Sequence, residues 1–512
     1  MNKIFIREVI FYMCRKKSVK FTAIFLILAL LFVSIISCQS NDGGNTPNAE
    51  NPAKETSVPD SATEPDEQTV GLKDKLPDDL DFDGATVNIV QRTFDLSWPC
   101  CSEFICETEN GDIFNDTIYR RNMAVEERLN VTLNFISEDA YSLPTKVRAN
   151  ILAADNTYDL VAGMCGNIGP LATEGLFMNL KDVPHIDFMR PWWNQQIVNG
   201  ATVSDKLYLL AGDANLSVLM YCMLLFVNKQ LMAEYELPDI YDAVIDGKWT
   251  IDYMSSYIKG ISKDLNGDGV MDKNDLYGFV SPKHEIFLSP FMEAGGIQVT
   301  KINIDGVPYL DMTIERMAGL ADKFCALVYN NPNTFLLNTF GDGTDQEMFR
   351  NNQALFLPYA MQDAVYWKDM KSDFGMVPFP KYDEAQENYY SRVLQSYTLF
   401  SIPFNSVTPE MTGAVMEAMS SESYKTTTPT YFDIVLKIKN TRDEQTEKMI
   451  DIIRDSAYID FSTIFNDQIN NPWGTLYSST QKGNNTFASW YEKNEQKIQQ
   501  YIDRLIEKME TE

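Results

Sequence analysis

From Ala85 to the C-terminus the chain alternates short apolar runs of strand length with amphipathic helical stretches. That alternation restricts the fold more than any other feature. "ATVNIV" (Ala85 to Val90) alternates apolar and polar residues, as a half-buried strand does. "DIFNDTIYRRNMAVEERLN" then sets Phe114, Ile118, Val125 and Leu129 on one helical face, and "VTLNF" alternates again. "YDLVAG" (Tyr158 to Gly163) is a short apolar run ending in glycine, the pattern of a buried parallel strand and its following loop. "KLYLLAGD", "LLFVNKQL", "ALFLPYA", "FGMVPFP" and "YTLFSIPF" read as further short strands with helical stretches between them. The chain closes on "TFASWYEKNEQKIQQYIDRLIEKM", where Phe487, Tyr491, Ile498, Ile502, Leu505 and Met509 form the apolar stripe of a helix. No internal repeat is visible. Such an order implies an α/β fold, with parallel sheets covered by helices. In such sheets ligands sit in the loops at the C-terminal ends of strands.

The stretch from about Leu72 to Glu512 is too long for one small core, so two lobes are expected. Hydrophobic residues at 45% and aromatic residues at 12% supply a sizeable core. The formal net charge of −29 excludes a nucleic-acid surface, which needs a basic excess. It also excludes electrostatic docking on anionic lipid; solubility accounts for most of the acidity.

The N-terminus carries scattered cations (Arg7, Arg15, Lys16, Lys17, Lys20), then the apolar run "FTAIFLILALLFVSIIS" from Phe21 to Ser37, then Cys38. A basic segment, a short apolar segment and small residues before a cut form a secretion signal. "IISC" fits a lipobox, in which Cys38 is acylated and becomes the first mature residue. The alternative is an uncleaved anchor helix, for which the run is somewhat short. Met13 is a second candidate start. Residues 38–76 lack the apolar content to fold and read as a solvated tether. Together these describe a lipid-anchored domain on the outer face of a membrane.

Beyond Cys14 and Cys38 the cysteines are Cys100, Cys101, Cys106, Cys165, Cys222 and Cys325, with no CxxC pair of zinc spacing. Cys100 or Cys101 bridged to Cys106 is one reading; buried free thiols are the other. The two histidines, His185 and His284, have no metal-spaced neighbours, so a zinc enzyme or a Ser-His-Asp hydrolase would have to be built around one of them.

"DLNGDGVMDKND" (Asp264 to Asp275) has the EF-hand spacing. Asp264, Asn266 and Asp268 fall at positions 1, 3 and 5, Gly269 at 6, and the Val270 carbonyl at 7. Asp272 falls at 9, and Asp275 replaces the usual glutamate at 12. Calcium wants many oxygens, and the glycine permits the sharp turn around it. The plainer alternative is a solvated acidic turn. "GDGTDQE" (Gly341 to Glu347) lacks the spacing and reads as a loop.

The chain resembles the extracellular solute-binding proteins of bacterial ABC transporters, in the group that includes maltodextrin- and oligosaccharide-binding members. The landmarks are "GDIFNDTIYRRNMAVEERLNV", "YDLVAG", "PWWNQQIV", "KLYLLAGD", "LLFVNKQLMAEYELPDIYDAVIDGKWTID", "FRNNQALFLP", "DFGMVPFPKYDEAQENYYS" and "TPTYFDIVLKIKNTRDEQTEKMIDII". Their order and spacing carry the resemblance over nearly everything after the tether. It implies a type II periplasmic-binding-protein-like fold with strand crossovers at a hinge and a helical C-terminus. Lobe one would comprise 77–213 plus 397–423, and lobe two 214–396 plus 424–512. A monomer would clamp a solute, expected to be an oligosaccharide, and deliver it to ABC permease subunits without chemistry of its own. The calcium loop would staple lobe two, away from the cleft.

Sugar clefts pair aromatic faces with carboxylates and amides. On the resemblance, Trp473, Tyr359, Glu285 and Phe287 are ligand-binding candidates. Asp213 at a crossover, Met164 and Asn167 after "YDLVAG", and Trp98 after the first strand complete the set. Trp192, Trp193 and Trp249 are assigned to packing. Rival readings are a surface glycan-processing enzyme with paired carboxylates, a calcium-stiffened structural lipoprotein, and a binding protein for a peptide or other metabolite.

Overall fold

The computed structural model describes residues 72–93, 103–437 and 444–511. The signal, the lipidation site Cys38, the tether, Trp98, Cys100 and Cys101 lie outside the described residues. The elements that position the site are β1 (Ala85–Thr93), α1 (Ile113–Leu129), β2 (Val131–Asp139), β3 (Leu160–Met164), β4 (Met223–Asn228), β5 (Leu276–Pro282), β6 (Thr334–Leu337), β7 (Ala354–Ala360), β8 (Phe374–Val377), β9 (Thr398–Ser401), α2 (Pro409–Lys425), α3 (Thr427–Lys437), α4 (Glu444–Ser456) and α5 (Phe487–Thr511).

The first sheet has the order β9-β3-β1-β2. β1 runs parallel to β2, with Ala85 opposite Val131, and parallel to β3, with Ile89 opposite Leu160. α1 begins where the Asp112 carboxylate accepts the amides of Phe114 and Asn115, at 3.1 and 3.0 Å. It ends at Asn130 in the left-handed conformation. Between them Phe114, Ile118, Val125 and Leu129 are all buried, as the helical period requires.

The second sheet has the order β6-β5-β7-β4-β8, with Ser262–Lys263 paired on β5. β5 and β7 are buried along their whole length. That is why "ALFLPYA" reads as a continuous apolar run rather than an alternating one. Both sheets are mixed rather than purely parallel: β4 runs against β7 and β8, and β9 runs against β3. The reason is topological. β4 and β9 are the strands by which the chain passes from one sheet to the other, so each arrives reversed.

The helices after β9 divide between the sheets. α2 and α3 pack on α1, while α4 packs on β8. In α5 all six stripe residues from Phe487 to Met509 are buried. Cys165, Cys222 and Cys325 are buried free thiols, and Cys106 is a partly exposed one. Among the described residues no helix is long and apolar enough to cross a membrane.

Candidate functional site

Where the chain leaves the first sheet it makes a tight turn. Leu210 and Phe400 exchange backbone hydrogen bonds of 3.1 and 2.7 Å, the Asp213 amide donates to the Trp192 carbonyl at 2.9 Å, and the Asn215 amide donates to the Gly212 carbonyl at 2.8 Å. This turn is one wall of a cavity of about 620 Å³. Trp193 and Asn194 form the adjoining wall; Tyr424, Thr428 and Phe432 face in from α2 and α3; Arg454 closes it from the end of α4.

The lining mixes polar and apolar groups, and part of it lacks protein partners. Asn215 is 1% exposed. Its Oδ1 accepts the Gly212 amide at 2.9 Å. Its Nδ2 and the buried Thr428 hydroxyl have no hydrogen-bond partner among the described residues. The Asp213 carboxylate likewise receives no donor among the described residues. Burial pushes its carboxyl up to about 8, against the pull of Arg454. The side chain is only half-buried, so water in the cavity offsets part of that push. Arg454 is itself tied to Asp451 and Asp455, at 3.1 Å each, and lies 5.7 Å from the Phe432 ring centre. Burying unpaired polar groups costs free energy. The half-buried Asp213 carboxylate stands in this wall with the Tyr424 and Phe432 rings beside it.

Of the ligand-binding candidates, Asp213 lines this cavity. Trp473 is 2% exposed and donates its indole N–H to the Ser462 hydroxyl at 3.2 Å. It borders a separate gap of about 10 Å³ with Glu293 and Arg392, which pair at 3.2 Å. The Tyr359 and Phe287 rings pack tilted at 56° with centres 5.0 Å apart, and the Tyr359 hydroxyl donates to Asp345 at 2.7 Å. Both are core residues, 6% and 3% exposed. The Glu285 carboxylate lies against Gly474, where an added Cβ would come within 2.6 Å of it. Met164 ends β3, opposite Thr398, and Asn167 donates to the Ala140 carbonyl at 2.7 Å. Cavity residues not among the candidates include Trp193, Asn215, Tyr424, Thr428, Phe432 and Arg454. "PWWNQQIV" stood out in the sequence, but nothing local separates a cavity-facing indole from a core one.

In the loop 264–275 the carboxylates engage the backbone. Asp264 accepts the Gly267 and Gly269 amides at 2.6 and 2.8 Å, and Asp268 accepts Val270 N at 2.8 Å. Asp275, buried, accepts Leu265 N and Asp272 N at 3.0 and 2.8 Å. Gly267 and Gly269 have φ of 75° and 77°, the left-handed turns that the motif's glycines allow. Among the described residues no three His, Cys, Asp or Glu side chains converge as metal ligands. In this geometry the loop oxygens form turns; the donor set is all oxygen, as a hard cation requires.

No protein-family model matches the chain, and no curated protein matches it. Solved structures do. UspC of M. tuberculosis aligns with a TM-score of 0.52 at 10% identity, over 81% of this chain and 100% of that one. UgpB of Mycobacterium tuberculosis, in complex with glycerophosphocholine, aligns at 0.51 and 13% identity, over 76% and 96%. A cyclo/maltodextrin-binding protein complexed with maltotetraose aligns at 0.50 and 12% identity, over 83% and 96%. The chain has the two-lobe α/β fold of periplasmic-binding-protein-like proteins. At these identities the likeness establishes architecture, and it covers nearly the full length of each neighbour.

Proposed function

We propose that the protein is the solute-binding component of an ABC transporter, which captures an oligosaccharide and hands it to membrane permease subunits. The observation that carries this reading is the cavity at the crossover, where the half-buried Asp213 carboxylate stands beside Tyr424, Phe432 and Arg454. A carboxylate and a carboxamide beside Tyr424 and Phe432 suit a hydroxylated ring with an apolar face. Neighbours of the same fold were solved with maltotetraose and with glycerophosphocholine. In this reading the lobes close by hinge bending about the crossovers, and the protein binds without chemistry. Cys38 carries the lipid that holds it on the outer face of the cytoplasmic membrane.

The loop 264–275 is read as a calcium staple. Support comes from the spacing of its oxygens and from Asp275, which ties the two ends of the loop together.

The test is a thermal-shift screen of the full-length protein against oligosaccharides, amino acids and peptides, with and without calcium. A solute that binds only the folded state raises the melting temperature by mass action. An oligosaccharide hit supports the transport reading and names the class. Silence from every oligosaccharide alongside a peptide or amino-acid hit overturns the sugar assignment.

A further inference from the structure

Two successive indoles point at one carboxylate. Glu417, on α2, is 1% exposed. Its Oε1 accepts the Trp192 indole N–H at 3.2 Å, and its Oε2 accepts the Trp193 indole N–H at 2.8 Å and the Asp187 amide at 3.2 Å. All three donors lie in the segment 187–193. That segment then reaches the cavity through Trp193, Asn194 and Gln196, while the same helix α2 delivers Tyr424 to it. Gly212 seals the joint between them. A Cβ there would lie 2.6 Å from the Trp192 carbonyl oxygen, 2.8 Å from Trp193 Cε3 and 2.8 Å from Ser420 Oγ. A buried carboxylate is tolerated only while such charge-assisted bonds are made. The segment therefore has one well-satisfied position on the helix.

We propose that Glu417 is a positioning residue for the solute cavity: it locks the Trp192–Trp193 segment onto α2 and so fixes the wall against which the solute is held. The inference rests on the reading of the cavity as the solute site. Glu417 acts through the indoles and does not line the cavity itself. The charged groups around it are accounted for. Asp187 pairs with Lys75 and Arg190. Asp74 pairs with Arg128 of α1. Arg121 of α1 is drawn toward Glu422, which pairs with Lys425 on α2 itself. Burial pushes the Glu417 carboxyl up to about 7, against the pull of Trp193, Asp187 and Trp192.

Glu417→Gln keeps the size and one acceptor but turns an amide N–H toward an indole N–H. Hydrogen–deuterium exchange on the full-length protein is expected to show faster exchange across 187–197 in E417Q. Affinity for maltotetraose, the probe, is expected to fall about tenfold, the equivalent of one charge-assisted hydrogen bond. Trp193→Phe removes one donor and serves if E417Q does not fold; where both fold, their effects on affinity should be non-additive. Unchanged exchange at 187–197, or equal maltotetraose affinity in wild type and E417Q, overturns the inference. If the wild type ignores maltotetraose, the sugar reading is what suffers. Exchange then decides alone, faster exchange at 187–197 supporting the clamp and unchanged exchange refuting it.

Discussion

The Thr398 amide donates to the Ser217 hydroxyl at 2.8 Å across 181 positions of sequence. The two residues belong to the two crossover segments, and Glu103 joins them again. Its Oε1 accepts the Ser217 amide at 2.5 Å and its Oε2 accepts the Thr398 hydroxyl at 2.6 Å. Arg92, at the end of β1, donates to the Thr398 hydroxyl at 2.8 Å. Glu103→Ala would leave buried donors of both crossovers unsatisfied. The expected cost is about 3 kcal/mol of stability. Urea unfolding of E103A against wild type checks it; a loss below about 1 kcal/mol would show that the crossover segments do not depend on this triangle.

Stability should fall as pH rises from about 5 to 8. Burial raises Glu293, Asp363 and Glu417 to about 7, and Asp213 to about 8. In the unfolded chain these groups titrate near about 4. Between those values the folded state holds protons that the unfolded state has released, so rising pH favours unfolding. The acid limit is set by groups of opposite sign. Burial would raise Asp74, but its hydrogen bond and charge pairing with Arg128 win and hold it below the ordinary value. Its contribution is present above the unfolded value and is lost as pH falls through the lower, folded one. Melting temperatures across pH 4 to 9 should therefore peak near about 5. A curve that climbs steadily to pH 8 would contradict this assignment, and D363N should flatten the alkaline fall.

How much of this was legible in the sequence depends on what each residue contacts. The strand at Ala85 announced itself by alternation, and those at Leu160, Ala354 and Thr398 by short continuous apolar runs, because their burial is written in the local sequence. The α5 stripe did so for the same reason. The reversal of β4 and β9 did not, because direction is set by which sheet the chain has just left, not by any local pattern. That Asp213 lines the cavity was legible through its place at the crossover. Arg454 was not, since it lies 241 residues from Asp213 and is brought to the cavity only by the packing of α4. Trp473 and Tyr359 illustrate the converse. Both are aromatic residues beside polar neighbours, as a platform would be, yet their polar atoms are spent on Ser462 and Asp345 in the interior.

Calcium should raise the melting temperature of the full-length protein, and a chelator should lower it. At a concentration one hundred times the dissociation constant the gain is about 2.7 kcal/mol. Asp275→Asn is the informative variant, because Asp275 closes the loop through Leu265 and Asp272. It should abolish the calcium response. A melting temperature indifferent to both calcium and chelator would leave the loop as a set of hydrogen-bonded turns and nothing more.

Gly212→Ala separates the cavity wall from general packing. A methyl group at this position would be driven into the Trp192 carbonyl oxygen at 2.6 Å, with Ser420 Oγ and Trp193 Cε3 each at 2.8 Å. Backbone cannot yield there without moving the turn that carries Asp213 and Asn215, so both stability and solute affinity should suffer. Overpacking of this kind costs about 1–3 kcal/mol. Gly278→Ala is the matched control. It lies in β5 of the second sheet and does not line the cavity, and its Cβ would meet Ile258 Cβ at 2.5 Å. It should destabilise to a similar degree and leave affinity alone. Melting temperature and solute affinity, measured on both variants, give the comparison. Equal affinities in G212A and G278A would mean that the turn at Gly212 does not shape the binding site, whatever it contributes to the fold.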